Sequence, residues 1–435
     1  MQIRLPILSQ NRILGGAAVL ALLQFGASLA GLLRDRLLAR TFPGLDTVDV
    51  YIASFRPADL LFQVCIMAGF SVVLVPFLAA YRAQARRDEM DLLLSGVTGA
   101  AALVFGVLAL AGALAFGRIA PLIVGFTGES LEFYITFGRL ALLSNFLFVF
   151  GNAFGQYLIT VQRYWVYGLT PILYTLGTIF GTVYLTPVAG AYGPIYGTLA
   201  GAVLYVLLRF AGALGAGYRP RFACWHPDVR EMFVIMLTRM AALGALQLQL
   251  LLFDTIASGM DAGAVTVNAY ARNFQSVVVG VAGIALAQSA FSPLSQAAAR
   301  GEWERYWLTM RKGVHVLLAV TVPGAVALVA FSNVAAALVH LTDVLPLFSL
   351  SLALYAVSIP FESVNHLFLR AFYATKHTVT PAVAGVANGV LAIALSWFLT
   401  PVAGVAGLAI AFTAGQVAEL LGLAVFLPRM VRKRG

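Results

Sequence analysis

The sequence predicts an all-α polytopic membrane protein, about twelve transmembrane helices in two pseudo-symmetric six-helix lobes around a central cavity. Three observations predict it. First, 61% of the residues are hydrophobic and 11% charged, with a mean hydropathy of +0.90, a balance outside the range of soluble globular domains. Second, runs of about 20 residues with almost no charge recur along the whole chain, each long enough to cross a bilayer as a helix. Third, landmarks recur at half-chain spacing. TPVAG stands at Thr186–Gly190 and again at Thr400–Gly404, and Thr170-Pro171 reappears as Thr380-Pro381. Pro76, before the charged stretch Arg82–Asp91, has a counterpart in Pro293, before Arg300–Lys312. Landmarks repeating in order mark a duplicated unit.

Taken in order, the first span, 13–33, follows Arg4 and Arg12, and Ala27-Ser28-Leu29-Ala30 has the small residues of a cleavage site. Its apolar run is too long for the core of a signal peptide, so it reads as a helix. The second span, 51–80, is too long for a perpendicular crossing and must tilt or protrude. Spans 92–116, 131–158, 166–186 and 193–213 complete the first lobe, and the fourth is again over-long. Gly212, Gly215, Gly217, Pro220 and Pro227 make Gly212–Val229 a connecting loop with room for a short surface helix. The lobes are then 1–215 and 231–435, joined by a cytoplasmic linker at 216–230. Spans 231–253, 265–295, 313–332, 346–372, 381–399 and 404–427 form the second lobe, with 265–295 and 346–372 over-long. Six helices is an even number, so both copies insert with the same polarity, about an axis along the membrane normal. No polar stretch is long enough to carry a soluble core.

Basic residues set the orientation. Of the 28 Lys and Arg, 20 fall in the termini and in the loops after even-numbered spans when Arg209 and Arg370, at the ends of spans 193–213 and 346–372, are taken with the loops that follow them. Only Arg34, Arg36, Arg40 and Arg118 follow odd-numbered spans, and Arg56, Arg139, Arg239 and Arg272 lie inside spans. The positive-inside rule places both termini in the cytoplasm. The net charge of +10 is therefore an orientation signal and an attraction to anionic lipid, not a nucleic-acid patch.

A charge within hydrocarbon is costly and usually faces a cavity. Arg56 and Arg272 occupy equivalent places in the second and eighth spans, 216 residues apart. Arg34 and Asp35 end the first span, and Asp59 is one helical turn past Arg56, where it can pair with it. Each arginine could be a snorkelling side chain or half of an ion pair that holds helices together. The equivalence of Arg56 and Arg272 favours a cavity for an anion, because a guanidinium fork grips phosphate oxygens at two points. For Arg139, Arg239, Glu362 and Glu419, structural pairing and cavity lining stay open.

Other chemistries lack their residues. There is no GxxxxGK[ST] phosphate loop. Cys65 and Cys224 form neither a disulfide framework nor a metal-ligand spacing. His226, His315, His340, His366 and His377 are scattered, and His366 reads as a polar contact of Glu362 inside the bundle. No covalent catalysis, cofactor or metal is expected.

Four ordered stretches carry a resemblance to a known family. They are LLRDRLLARTFPGLDTVDVYIASFRPADLL (Leu32–Leu61), FSVVLVPF (Phe70–Phe77), FDTIASGM from Phe253, and FLRAFYATKHTVTP (Phe368–Pro381) with VAGLAIA following. They resemble the MurJ (MviN) lipid II flippases of the multidrug/oligosaccharidyl-lipid/polysaccharide exporter superfamily. The resemblance implies two six-helix lobes in the bacterial inner membrane. It implies that an undecaprenyl-diphosphate-linked saccharide, lipid II or a related glycan precursor, moves from inner to outer leaflet by alternating access. Membrane lipids and cell-wall or glycan synthesis proteins are the expected partners.

Residue by residue, it implies substrate binding by Arg34, Asp35, Asp49, Arg56 and Arg272, and a cation site at Asp254. Ser28, Phe62 and Gln63 stand where the family has arginines, and Ala392 and Ser396 where some members have cation ligands. Two further C-terminal helices of the family do not follow the twelfth span. The departures keep open an exopolysaccharide or O-antigen-type flippase, a cation-coupled drug exporter and a non-transporting scaffold.

Overall fold

The structure, a computed structural model, describes residues 8–67, 70–223 and 225–432. Every regular element among them is helical. In chain order the helices of the first half are α1 (Leu8–Thr41), α2 (Asp46–Phe62), α3 (Val75–Ala83), α4 (Arg87–Ile123), α5 (Gly128–Thr160), α6 (Tyr164–Phe180), α7 (Thr186–Ala189) and α8 (Gly193–Gly215). Those of the second are α9 (Asp228–Ala257), α10 (Ala264–Val278), α11 (Ala285–Arg300), α12 (Trp303–Ala330), α13 (Ser332–Leu338), α14 (Leu345–Ala374), α15 (Val379–Ala403) and α16 (Ala406–Arg432). With α2–α3, α6–α7 and α10–α11 each counted as one interrupted pass, and the short α13 left out, these are the twelve expected passes. They run longer than the apolar spans: α4 has 37 residues, about 55 Å at 1.5 Å per residue, against roughly 30 Å of hydrocarbon. Hydropathy marks only the stretch in lipid, whereas the helix continues into the headgroups.

The duplication is visible in the backbone. Both TPVAG copies end a helix on a glycine with positive φ, Gly190 at 57° and Gly404 at 55°, a conformation L side chains avoid. Each of these glycines donates its N–H to the threonine that opens its copy. The second pass relaxes into π-helical turns at Gln63–Met67 and Phe70–Leu74, and the eighth does so at Val279–Ile284, 216 residues after Gln63. Such turns often mark functional sites in helices. Left-handed residues at the helix ends recur likewise, Ala85 with Gly301 and Gln162 with Lys376.

Two compact units result. One comprises Met1–Pro43, Ser54–Leu122 and Thr127–Leu243; the other comprises Gly44–Ala53, Ile123–Phe126 and Gly244–Gly435. Hydrogen bonds explain the short excursions. Asp49 binds Gly263 and Thr266, and the Gly125 N–H reaches the Ser258 hydroxyl at 2.9 Å.

In the first unit α6 and α8 touch through glycines. A Cβ on Gly177 would lie 2.6 Å from the Gly201 Cα, so only small residues permit this approach. The Thr178 and Thr198 hydroxyls bond across the same seam at 2.7 Å. On α4, Leu103, Val107, Leu110 and Leu114 form an exposed stripe at helical spacing, the pattern of a face in contact with acyl chains.

The linker is tied to the first unit. Arg221 pairs with Asp88 at 2.6 Å, the Arg219 N–H reaches Asp91, and Tyr218 shares a 2.8 Å bond with Ser95. Tyr81 donates to Asp228 at 2.8 Å, and that acceptor raises the phenol's pKa. The short surface helix expected here is missing among the described residues; these side-chain bonds hold the strand of chain instead.

In the second unit α14 is central. Its Leu367, Ala371 and Phe372 are buried with Leu317 and Tyr306 of α12 and Leu423 of α16, and the Tyr306 hydroxyl donates to the Ala371 carbonyl at 2.9 Å.

Candidate functional site

In the first unit, Arg34 forks onto its neighbour Asp35, with Nε and Nη2 at 2.9 and 2.6 Å from one carboxylate oxygen. Asp35 is buried and Arg34 partly exposed, and the carboxylate fixes the direction of the guanidinium. Arg56 is half-buried on α2, one residue before Pro57. The proline removes one backbone N–H from the helix, which loosens the ladder there. Asp59, expected to pair with Arg56, feels its charge and accepts a 3.0 Å hydrogen bond from Asn145 of α5. Asn145 thus holds the acid against a neighbouring helix.

In the second unit, Arg272 is half-buried on α10 with its guanidinium over the Phe412 ring, 5.4 Å from the centroid. It lies within electrostatic reach of Glu362 on α14. Glu362 takes its hydrogen bond from Gln275, 2.6 Å away and one helical turn past Arg272, and Gln275 also donates to Ser358. Farther along, Asn388 donates to Glu419 at 2.7 Å, Asn365 to Gln416, and Tyr355 to Asn268. Gln275, Asn388 and Asn365 were not foreseen; Gln275, on the face of Arg272, had a readable signal. His366 makes no hydrogen bond among the described residues, so the expected contact with Glu362 is replaced by Gln275.

Asp49 has a different surrounding from the one its sequence position suggested. It is 3% exposed, and its carboxylate accepts the Gly263 and Thr266 N–H groups at 2.7 Å each and the Thr266 hydroxyl at 2.5 Å. It therefore caps the N-terminus of α10, where negative charge meets unpaired amides. Asp49→Ala should lower stability by about 1–3 kcal/mol by stranding these donors. Asp49→Asn should lose less, because it keeps an acceptor. Thermal unfolding of the solubilised protein measures both; transport lost at unchanged Tm would place Asp49 on the substrate path instead. Asp254 is buried near the end of α9, and no cluster with metal-ligand composition exists among the described residues.

Arg209 was counted with the basic residues outside the membrane. The structure buries it in α8 at 2% exposure. It bonds the Thr170 hydroxyl and the Gly151 and Tyr167 carbonyls at 2.8–3.2 Å and lies against the Tyr167 and Tyr205 rings. A lone arginine near the end of an apolar span looks like a flank, and only the facing helices reveal its slot. Arg139 is exposed and donates to the Ala113 carbonyl of α4 at 3.0 Å, a structural pairing of α5 with α4. Cys65 is a free thiol, while Cys224 and the Arg239 side chain lie outside the described residues.

Comparison with known proteins agrees in family and fold. The sequence profile of the family described as lipid II flippase MurJ matches residues 18–434. The lipid II flippase MurJ of Burkholderia cenocepacia is 26% identical over 438 residues, covering 94% of this chain and 81% of that protein. Among solved structures, a lipid II flippase MurJ in an inward closed conformation superposes with a TM-score of 0.79 at 19% identity, covering 94% and 87% of the two chains. An inward-facing multidrug resistance MATE family transporter of the MOP superfamily gives 0.78 at 15% identity, covering 94% and 95%. At these identities the structural likeness speaks to fold alone.

Proposed function

Because the chain belongs to the lipid II flippase MurJ family, we propose that it turns an undecaprenyl-diphosphate-linked saccharide of the lipid II class from the inner to the outer leaflet by alternating access. It is a multi-pass inner-membrane protein, and the excess of basic residues after even-numbered passes supports both termini in the cytoplasm. The observation that carries the reading is the pair Arg56 and Arg272, intramembrane guanidiniums at equivalent positions of a duplicated fold, in a chain matched by the family over 18–434.

A diphosphate and its sugars cannot cross hydrocarbon without polar partners. Arg34, Arg56 and Arg272 supply forked donors to the diphosphate oxygens, while the polyprenyl tail stays in lipid. Asp35 orients Arg34. A negative-inside potential favours outward movement of an anion by about 2.3 kcal/mol per charge per 100 mV. Solved relatives of the same superfold are described in both inward-facing and outward-facing conformations, which supports alternating access.

Depletion of the protein tests the reading. Lipid II should accumulate on the inner leaflet while its synthesis continues. Accumulation of an exopolysaccharide or O-antigen precursor in its place would move the substrate to that class, a reading favoured by Phe62 and Gln63 at positions where the family has arginines. Cation coupling is a separate question. If Asp254 holds a coupling cation, Asp254→Asn should remove any sodium dependence of transport; equal rates with and without sodium in both proteins would remove that site.

A further inference from the structure

At one end of the first unit, the α3–α4 turn, the α5–α6 turn and the C-terminus of α8 surround a cavity of about 170 Å³, lined among others by Arg82, Arg87, Arg163 and Tyr157. We propose that this cavity binds a phosphate group, borne by an anionic lipid headgroup or free in solution, at a site separate from Arg34 and Arg56.

Arginines gather at this side of many membrane proteins merely as topology signals. Three observations set this group apart. The three guanidiniums come from separate elements, the end of α3, the first residue of α4 and the residue before α6, yet line one cavity. The carboxylates around them are engaged elsewhere: Asp88 with Arg221, Glu89 with Arg86, and Asp91 with the Arg219 N–H. Among the described residues, Arg82, Arg87 and Arg163 therefore have no carboxylate partner.

Tyr157 is 3% exposed, lies beside Tyr218, and makes no hydroxyl hydrogen bond among the described residues. Tyr157 lines the cavity, so its phenol can donate to an anion bound there. Arg82 donates to the Thr160 carbonyl, which steadies its fork at the cavity wall. At a water's share of about 30 Å³, the volume suits one phosphate group with a few waters and is too small for a nucleotide.

The full chain, purified in detergent and in nanodiscs, provides the test. Binding of inorganic phosphate is measured by calorimetry, and retention of phosphatidylglycerol over phosphatidylcholine by native mass spectrometry. The double variant Arg87→Gln/Arg163→Gln should weaken binding of the responsive probe at least tenfold, while Arg305→Gln, an exposed arginine paired with Glu302, should leave it unchanged. Arg87→Lys/Arg163→Lys should still lose several-fold, since it keeps charge without the fork. A response to phosphate alone identifies the free ion, and a response to phosphatidylglycerol alone identifies the headgroup. The proposal is overturned if neither probe binds, if the glutamine variant binds like the parent, or if the lysine variant does, since diffuse charge would then suffice. Should the double variants fail to fold, Tyr157→Phe serves: several-fold weaker binding supports the site, and unchanged binding overturns it.

Discussion

Arg56→Ala and Arg272→Ala are each expected to abolish translocation while the protein remains inserted and folded. A guanidinium that grips a diphosphate makes two charge-assisted hydrogen bonds, each worth about 1.5–3 kcal/mol, so its removal costs about two orders of magnitude or more in substrate hold. Folding should survive, because the groups beside each arginine keep other partners. Asp59 retains Asn145, and Glu362 retains Gln275. Lysine at either position should restore only part of the activity, since it returns charge without the planar fork. Normal flipping in both alanine variants, at parental expression, would remove these arginines from the substrate path.

Arg209→Ala is expected to act in the opposite manner, unfolding the first unit rather than disarming it. The side chain is buried, bonded to three oxygens and packed on two aromatic rings. Gly151 and Gly155 of α5 leave the space that Tyr205 and Arg209 fill. Its removal opens a cavity and takes a donor from the Thr170 hydroxyl and the Gly151 and Tyr167 carbonyls, a loss on the order of 2–5 kcal/mol. Expression and thermal unfolding should fall together, and lysine should not rescue them, because a point charge cannot reach three acceptors spread over two helices. Wild-type Tm with impaired transport would make Arg209 a substrate group.

The difference between Arg56 and Arg209 shows what one dimension conveys. Pass number and duplication depend on local apolar runs and on recurring turn chemistry, so the runs and the spacing of TPVAG expose them directly, whereas the π-helical breaks carry no such signal. The equivalence of Arg56 and Arg272 was legible for the same reason, because a repeat offset is a sequence quantity. Partners are not. Asp49 caps a helix whose first residues lie more than 210 positions away, and Asn145 meets Asp59 across 86 positions. Nothing near either residue announces the contact. Gln275 lies between these cases, with its helical face readable and its partner Glu362 not.

The substrate role is tested most directly in proteoliposomes that contain only this protein and lipid II. The rate at which the saccharide becomes accessible to an enzyme added on one side should rise well above that of protein-free vesicles, and should return to that baseline with Arg272→Ala. An accessibility rate equal in the parent, the variant and empty vesicles would contradict flipping by this chain.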